Sequence, residues 1–154
     1  PALLIADEPT TALDVTVQAE VLRTFRAVVE HTGTSLVLVT HDLGVVAGTC
    51  DEVAVMYAGR IVERAEAGEL FRAPAHPYTR ALLECRPRLD DAPAARLRSI
   101  EGQPPTPAQA GTGCAFAPRC RLAGPRCASE APPLSPRLVE GTGRLVACHF
   151  PESP

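Results

Sequence analysis

"LLIADEPTTALD" (residues 3–14) runs from an unbroken apolar stretch into two adjacent acids, Asp7 and Glu8. A proline, two threonines and a third acid, Asp14, come soon after. Residues 2–6 are wholly apolar, the pattern of a strand buried on both faces of a parallel sheet. From Asp14 to His31, Val17, Val21, Leu22, Phe25, Val28 and Val29 recur at helical spacing, and Gly33 is placed to end that helix. "SLVLV" (35–39) reads as a second buried strand that stops at Thr40–His41–Asp42, with a short helix over about 42–49 beyond it. "EVAVMYAGRIVERA" (52–65) reads as two strands joined at Ala58–Gly59. Strand, helix, strand in this order implies a right-handed crossover with the two strands parallel and adjacent. Both then end at one sheet edge, where open α/β folds bind ligands. Asp7, Glu8 and His41 are expected to meet there.

Composition divides the chain. Of its 16 prolines, 14 lie from Pro74 onward. Residues 1–72 carry 11 acids and 5 Arg, a net of −6, whereas residues 73–154 carry 7 acids and 10 Arg, a net of +3. The expected organisation is an α/β core over 1–73 and a Cys/Pro/Arg-rich extension over 74–154 with less regular structure. The overall charge of −3 gives no general nucleic-acid footprint. The ten Arg of the extension read as solvated, since aromatics for base stacking are scarce. No apolar stretch approaches the roughly 20 residues of a membrane span, and no signal peptide is visible. The chain opens on Pro1 and enters a strand at once, which is expected of part of a longer protein.

A carboxylate at a buried strand tip suits Mg²⁺, held partly through water beside substrate phosphates. A second carboxylate beside it can polarise a water for in-line attack on a γ-phosphoryl group, and a histidine on the neighbouring tip can contact that phosphate or hold the water. Phosphoryl transfer asks mainly for positioning and charge stabilisation, which such groups supply. Taken alone, Asp7–Glu8–Pro9 would be no more than a helix-start signal and His41 a cap. The strand, "DEPT", "ALD" and a strand ending in "TH", in that order, favour the catalytic reading.

This ordered set resembles the C-terminal half of an ABC-transporter ATPase. "LLIADEP" is similar to the Walker B strand and catalytic glutamate of that family, "TTALD" to its D-loop and "LVTHD" to its H-switch. The resemblance implies a partial P-loop NTPase core of the RecA-like ABC type. Asp7 would then support Mg²⁺ with ATP, Glu8 polarise the attacking water, His41 sense the γ-phosphate, and Asp14 face a second ATPase across the nucleotide. The chain contains no "GxxxxGK[ST]" phosphate loop and no Lys at all, and it lacks the family's "LSGGQ" signature. The isolated chain is therefore expected to be inactive as an ATPase.

The second part narrows the resemblance. "HPYTRALLECRP" (76–87) places Pro77 at a first helical position, with His76 before it as a cap and Leu82 and Leu83 free to cover a core. As strings, "HPYTRALL", "IEGQPP" (100–105), "GCAFAPRC" (113–120), "PPL" (132–134) and "ACH" (147–149) resemble the tail of the oligopeptide/dipeptide importer ATPases, a group that includes nickel importers. That family implies a second, paralogous ATPase subunit, two transmembrane permeases, an extracytoplasmic peptide-binding protein acting indirectly, and residence at the cytoplasmic face of the plasma membrane. Two readings compete with it: a non-transport ABC ATPase acting on DNA, and an independent metal-binding module.

Cys114, Cys120, Cys127 and Cys148 are spaced like neither a zinc ribbon nor a common ferredoxin run. Spacing alone leaves metal binding and unliganded thiols both open. The resemblance implies a [4Fe–4S] cluster on these four cysteines, with Zn²⁺ and His149 as the alternative. Cys50 and Cys85 read as ordinary thiols and His31 as a helix-end residue. Without a metal, the tail is expected to pack through Phe116, Leu122, Leu134, Leu138, Leu145 and Val146.

Overall fold

A computed structural model describes residues 1–86, 99–106, 111–136 and 143–151. It is mixed α/β and divides into two compact units, Pro1–Asp51 and Glu52–Pro154.

In the first unit, β1 (Leu3–Asp7) pairs in parallel with β2 (Ser35–Val39), from Leu3 opposite Ser35 to Asp7 opposite Val39. The expected α1 connects them over Val15–Thr32. Asp14 caps its first turn, its Oδ1 accepting from the N–H groups of Thr16 and Val17, each at 3.0 Å. Gly33 ends it in the left-handed conformation (φ 67°), where a glycine carries no Cβ penalty. The short α2 spans Leu43–Thr49 and is capped by Asp42.

Burial departs from expectation here. Leu4, Ala6, Leu36 and Leu38 turn to a covered face, but Leu3, Ile5, Val37 and Val39 on the other face are exposed. Ile5 is 64% exposed, so the reading of β1 as covered on both faces does not hold within this chain. A pair of strands with one long helix has apolar cover for a single face only. Along α1, Val21, Leu22, Phe25 and Val29 are half-buried, whereas Val17 and Val28 are exposed.

The second unit is built on an antiparallel hairpin. β3 (Glu52–Tyr57) turns at Ala58–Gly59 into β4 (Arg60–Glu66). Val53, Val55 and Tyr57 alternate into the core. The ladder slips between Val55 and Met56: Met56 pairs with Ile61 but Val55 with Glu63, leaving Val62 as an extra residue. Such a bulge re-aims the next side chain, and Glu63 is fully buried. The free carbonyl of Val62 accepts from the Ala147 N–H at 2.8 Å. The two-residue β6 (Leu145–Val146) thereby joins β4, with β5 (Ser135–Pro136) outside it, in the order β3-β4-β6-β5.

Two helices follow β4. α3 (Ala67–Arg72) was not marked by any periodicity, and it buries Leu70 completely. α4 (Pro77–Glu84) has the expected Pro77 start and His76 cap, with the Tyr78 N–H donating to His76 Nδ1 at 3.0 Å. Leu82 and Leu83 are half-buried. A single 3₁₀ turn (Ala117–Arg119) and α5 (Pro125–Ser129) complete the described elements.

Candidate functional site

The parallel register sets the geometry of the acidic tip. Asp7 lies opposite Val39, and the next N–H, that of Glu8, donates to the Val39 carbonyl at 2.8 Å. Glu8 then takes a left-handed backbone (φ 44°), an unusual conformation for a residue with a Cβ, and one that concentrates at functional turns. Two residues past β2, His41 Nδ1 lies 2.9 Å from Glu8 Oε1, while the Thr11 hydroxyl donates to Glu8 Oε2 at 2.8 Å. Both oxygens of the carboxylate are thus held.

The pair is solvent-facing and mutually stabilised. Hydrogen bonds from His41 and then Thr11 hold the Glu8 carboxyl below the usual carboxylate range. The Glu8 hydrogen bond and charge raise His41 above an ordinary imidazole. Asp7 is exposed at the same tip, and its carboxylate has no hydrogen-bond partner among the described residues. Asp14 has its Oδ1 committed to capping α1.

A second feature lies in the Glu52–Pro154 unit. Cys114, Cys120, Cys127 and Cys148 all line one pocket, together with His76, Phe116 and His149. The pocket is narrow, with about 10 Å³ of free space. Cys50 and Cys85 do not line it. Burial, with the neighbouring Cys120, Cys114 and Cys127, pushes the Cys148 thiol up to about 11. The other three sulfurs therefore lie close enough to Cys148 to oppose its ionisation. Among the described residues, however, no group of three or more His, Cys, Asp or Glu is arranged to hold a metal ion.

The pocket wall combines this thiol set with the apolar packing expected in its absence. Phe116 is 3% exposed and sits among Tyr57, Tyr78 and His76, with ring centroids 5.2, 5.3 and 6.0 Å away. Val146 is buried and Leu145 half-buried, but Leu122 and Leu134 are exposed, and Leu138 lies outside the described residues. His76 is a structural part of the wall. Its Nδ1 accepts from Tyr78 and its other ring nitrogen bonds the Ala147 carbonyl; burial holds it neutral, down to about 4.

Sequence reasoning missed the polar centre of this unit. Glu63 accepts from the N–H groups of Ala75 and His76, both at 2.9 Å. Arg144, 2% exposed, donates to the carbonyls of Ala73 (2.6 Å) and Glu69 (3.2 Å), and its Nε stands 3.9 Å from Glu63 Oε1. The only sequence signal was an Arg inside a glycine-bearing loop, which reads as solvated.

The family pattern described as "Oligopeptide/dipeptide transporter, C-terminal region" matches residues 62–127. The oligopeptide transport ATP-binding protein OppD of Salmonella typhimurium is 48% identical over 98% of this chain and 44% of its own length. AppD of Bacillus subtilis, of the same description, is 47% identical over 99% of the chain and 45% of its own length. The chain resembles the oligopeptide ABC-transporter ATP-binding proteins. It matches their C-terminal part and spans less than half the length of these relatives. OppD of Mycobacterium tuberculosis, 52% identical over 96% of the chain, is matched over 24% of its length. Among the described residues, no helix is long and apolar enough to cross a membrane.

Proposed function

We propose that this chain is the C-terminal part of an ATP-hydrolysing subunit that energises an ABC importer for di- and oligopeptides. The observation that carries this reading is its 48% identity, over 98% of the chain, to an oligopeptide transport ATP-binding protein. In this reading residues 1–73 complete a nucleotide-binding domain, and residues 74–154 are the importer-type extension. The intact subunit works with a paralogous ATPase and two permeases at the cytoplasmic face of the membrane, served by an extracytoplasmic peptide-binding protein. The isolated chain, without a phosphate loop, is inactive.

Asp7, an exposed hard oxygen donor without a competing partner among the described residues, fits Mg²⁺, which when bound neutralises phosphate charge. Glu8, kept ionised by its two donors, accepts a hydrogen bond from the attacking water. It draws off the proton as the new bond to the γ-phosphorus forms and the bond to the leaving bridging oxygen breaks. His41, released from Glu8 when substrate enters, contacts the γ-phosphate. Asp14 holds the start of α1, so that the loop before it faces the second ATPase.

For the cysteines the proposal is a [4Fe–4S] cluster, because four sulfurs on one pocket are the donor set such a cluster takes. When bound, it would tie the extension together. Cys114, Cys120, Cys127 and Cys148 would hold it. His149 on the same wall favours Zn²⁺ as the second reading.

The test is uptake. Cells lacking the full-length protein should lose di- and oligopeptide uptake, regain it with the wild-type gene, and fail to regain it with Glu8→Gln. Intact peptide uptake with nickel uptake lost would assign the nickel branch instead.

A further inference from the structure

Three segments bring sulfur to the pocket: the loop at Cys114–Cys120, α5 with Cys127, and the strand end with Cys148. Two glycines stand where these segments touch. A methyl group on Gly113 would lie 2.5 Å from the carbonyl oxygens of both Cys127 and Ala128, and 2.7 Å from the Ala128 carbonyl carbon. The next residue donates its backbone N–H back across this contact, Cys114 to the Cys127 carbonyl, at 2.8 Å. One cysteine-bearing backbone therefore crosses directly on another, and only the absence of a side chain at 113 leaves room. Backbone carbonyls in a helix cannot swing aside as a side chain can.

Gly124 makes the second contact. It caps the N-terminus of α5, and a methyl there would lie 3.2 Å from Cε2 of Phe150, two residues beyond Cys148. Phe150 is 47% exposed, so its ring has space to yield. Gly111 offers a contrast, because a Cβ there meets nothing within 4 Å.

We propose that Gly113 and Gly124 are positioning residues for the cysteine set, fastening its three segments together by close backbone approach, with Gly113 the more demanding. The proposal rests on the reading of these cysteines as cluster ligands. It adds that ligand convergence depends on two residues that bear no donor atom. Metal sites lose about 10- to 100-fold in affinity when the residues orienting their ligands are changed, and the same scale applies here.

The test compares the full chain with Gly111→Ala, Gly124→Ala and Gly113→Ala, each reconstituted anaerobically with iron and sulfide. Iron content, visible absorption and the electron paramagnetic resonance of the reduced protein are read. Amide exchange at Cys114 is measured on the metal-free chains. The expected order is wild-type loading for G111A, loading weaker by a few-fold for G124A, and a loss of about tenfold or more, with an altered resonance, for G113A. Faster exchange at Cys114 in G113A, with exchange in β3 and β4 unchanged, would place the effect at the crossing. Wild-type iron, resonance and Cys114 exchange in G113A would overturn the proposal. Should G113A fail to fold, unchanged loading and resonance in G124A would overturn it. If the wild-type chain takes up no iron, the cluster reading fails, and Cys114 exchange in G113A still decides the role of the glycine.

Discussion

His41 and Glu8, 33 residues apart in sequence, meet at 2.9 Å because two parallel strands end side by side. The contact lowers the titration of one partner and raises that of the other, with the hydrogen bond the first cause in both. The pair is doubly charged only in the window between the lowered carboxyl and the raised imidazole. Its contribution is lost as pH falls through the first or rises through the second. His41→Ala in this chain should shift the Glu8 carboxyl titration upward by NMR, since the largest lowering influence is gone. An unmoved titration would show that the two groups do not meet in solution. In the full-length protein the same change should cut turnover by roughly 10²-fold or more.

Buried Arg144, 3.3 Å from Glu69 Oε1 and 3.9 Å from Glu63 Oε1, should dominate the stability of the hairpin unit together with these two acids. Removing one partner of a buried ion pair typically costs about 3–5 kcal/mol, because the other charge is left buried and uncompensated. Arg144→Ala is expected to destabilise the unit on that scale by denaturant unfolding, and Glu63→Ala by less, since Glu69 still faces Arg144. The double variant should lose less than the sum. Additive losses would show that the two side chains are energetically independent.

His76 gives a pH dependence of known sign. Its folded pKa of about 4 lies below the ordinary 6.5, so between those values the unfolded chain binds the extra proton. Stability should therefore be complete above about pH 6.5, fall as pH drops toward 4, and fall no further from this group below that. The shift corresponds to about 3 kcal/mol. His76→Asn, which keeps a capping acceptor, should remove that slope from the unfolding free energy. A variant with the wild-type slope would assign the proton uptake elsewhere.

Metal loading at the cysteines should strengthen with pH. Cys148, at about 11 in the metal-free chain, must lose its proton to become a ligand. Apparent iron or zinc affinity should rise about tenfold for each pH unit between 7 and 9 on account of this thiol alone. Colourless anaerobic protein with one zinc would select the zinc reading, and brown protein with about four irons the cluster. Flat affinity across the range would mean that Cys148 is not a ligand.

These features were unevenly legible in the sequence. The meeting of Glu8 with His41 follows from apolar runs and a crossover rule, both written in single residues. The fate of Glu63 does not. In a hairpin of alternating residues an acid reads as solvent-facing, and only the extra residue Val62 turns it inward. Arg144 is buried beside that acid and Glu69, with the carbonyls of Ala73 and Glu69 taking its donors. Likewise α3, six residues long, is too short to declare a period. The exposed face of β1 shows the reverse limit, because an apolar run states what a strand needs as cover but not whether this stretch of chain supplies it. Gly113 carries no signal at all until the carbonyls facing it are seen.

The central claim, that Glu8 polarises the attacking water of an ATPase, is tested most directly by single-turnover hydrolysis in the full-length protein. With Glu8→Gln, MgATP should bind with near wild-type affinity and hold the two ATPase subunits closed, while cleavage slows by about 10²- to 10⁴-fold. Cleavage by Glu8→Gln at the wild-type rate would contradict the account.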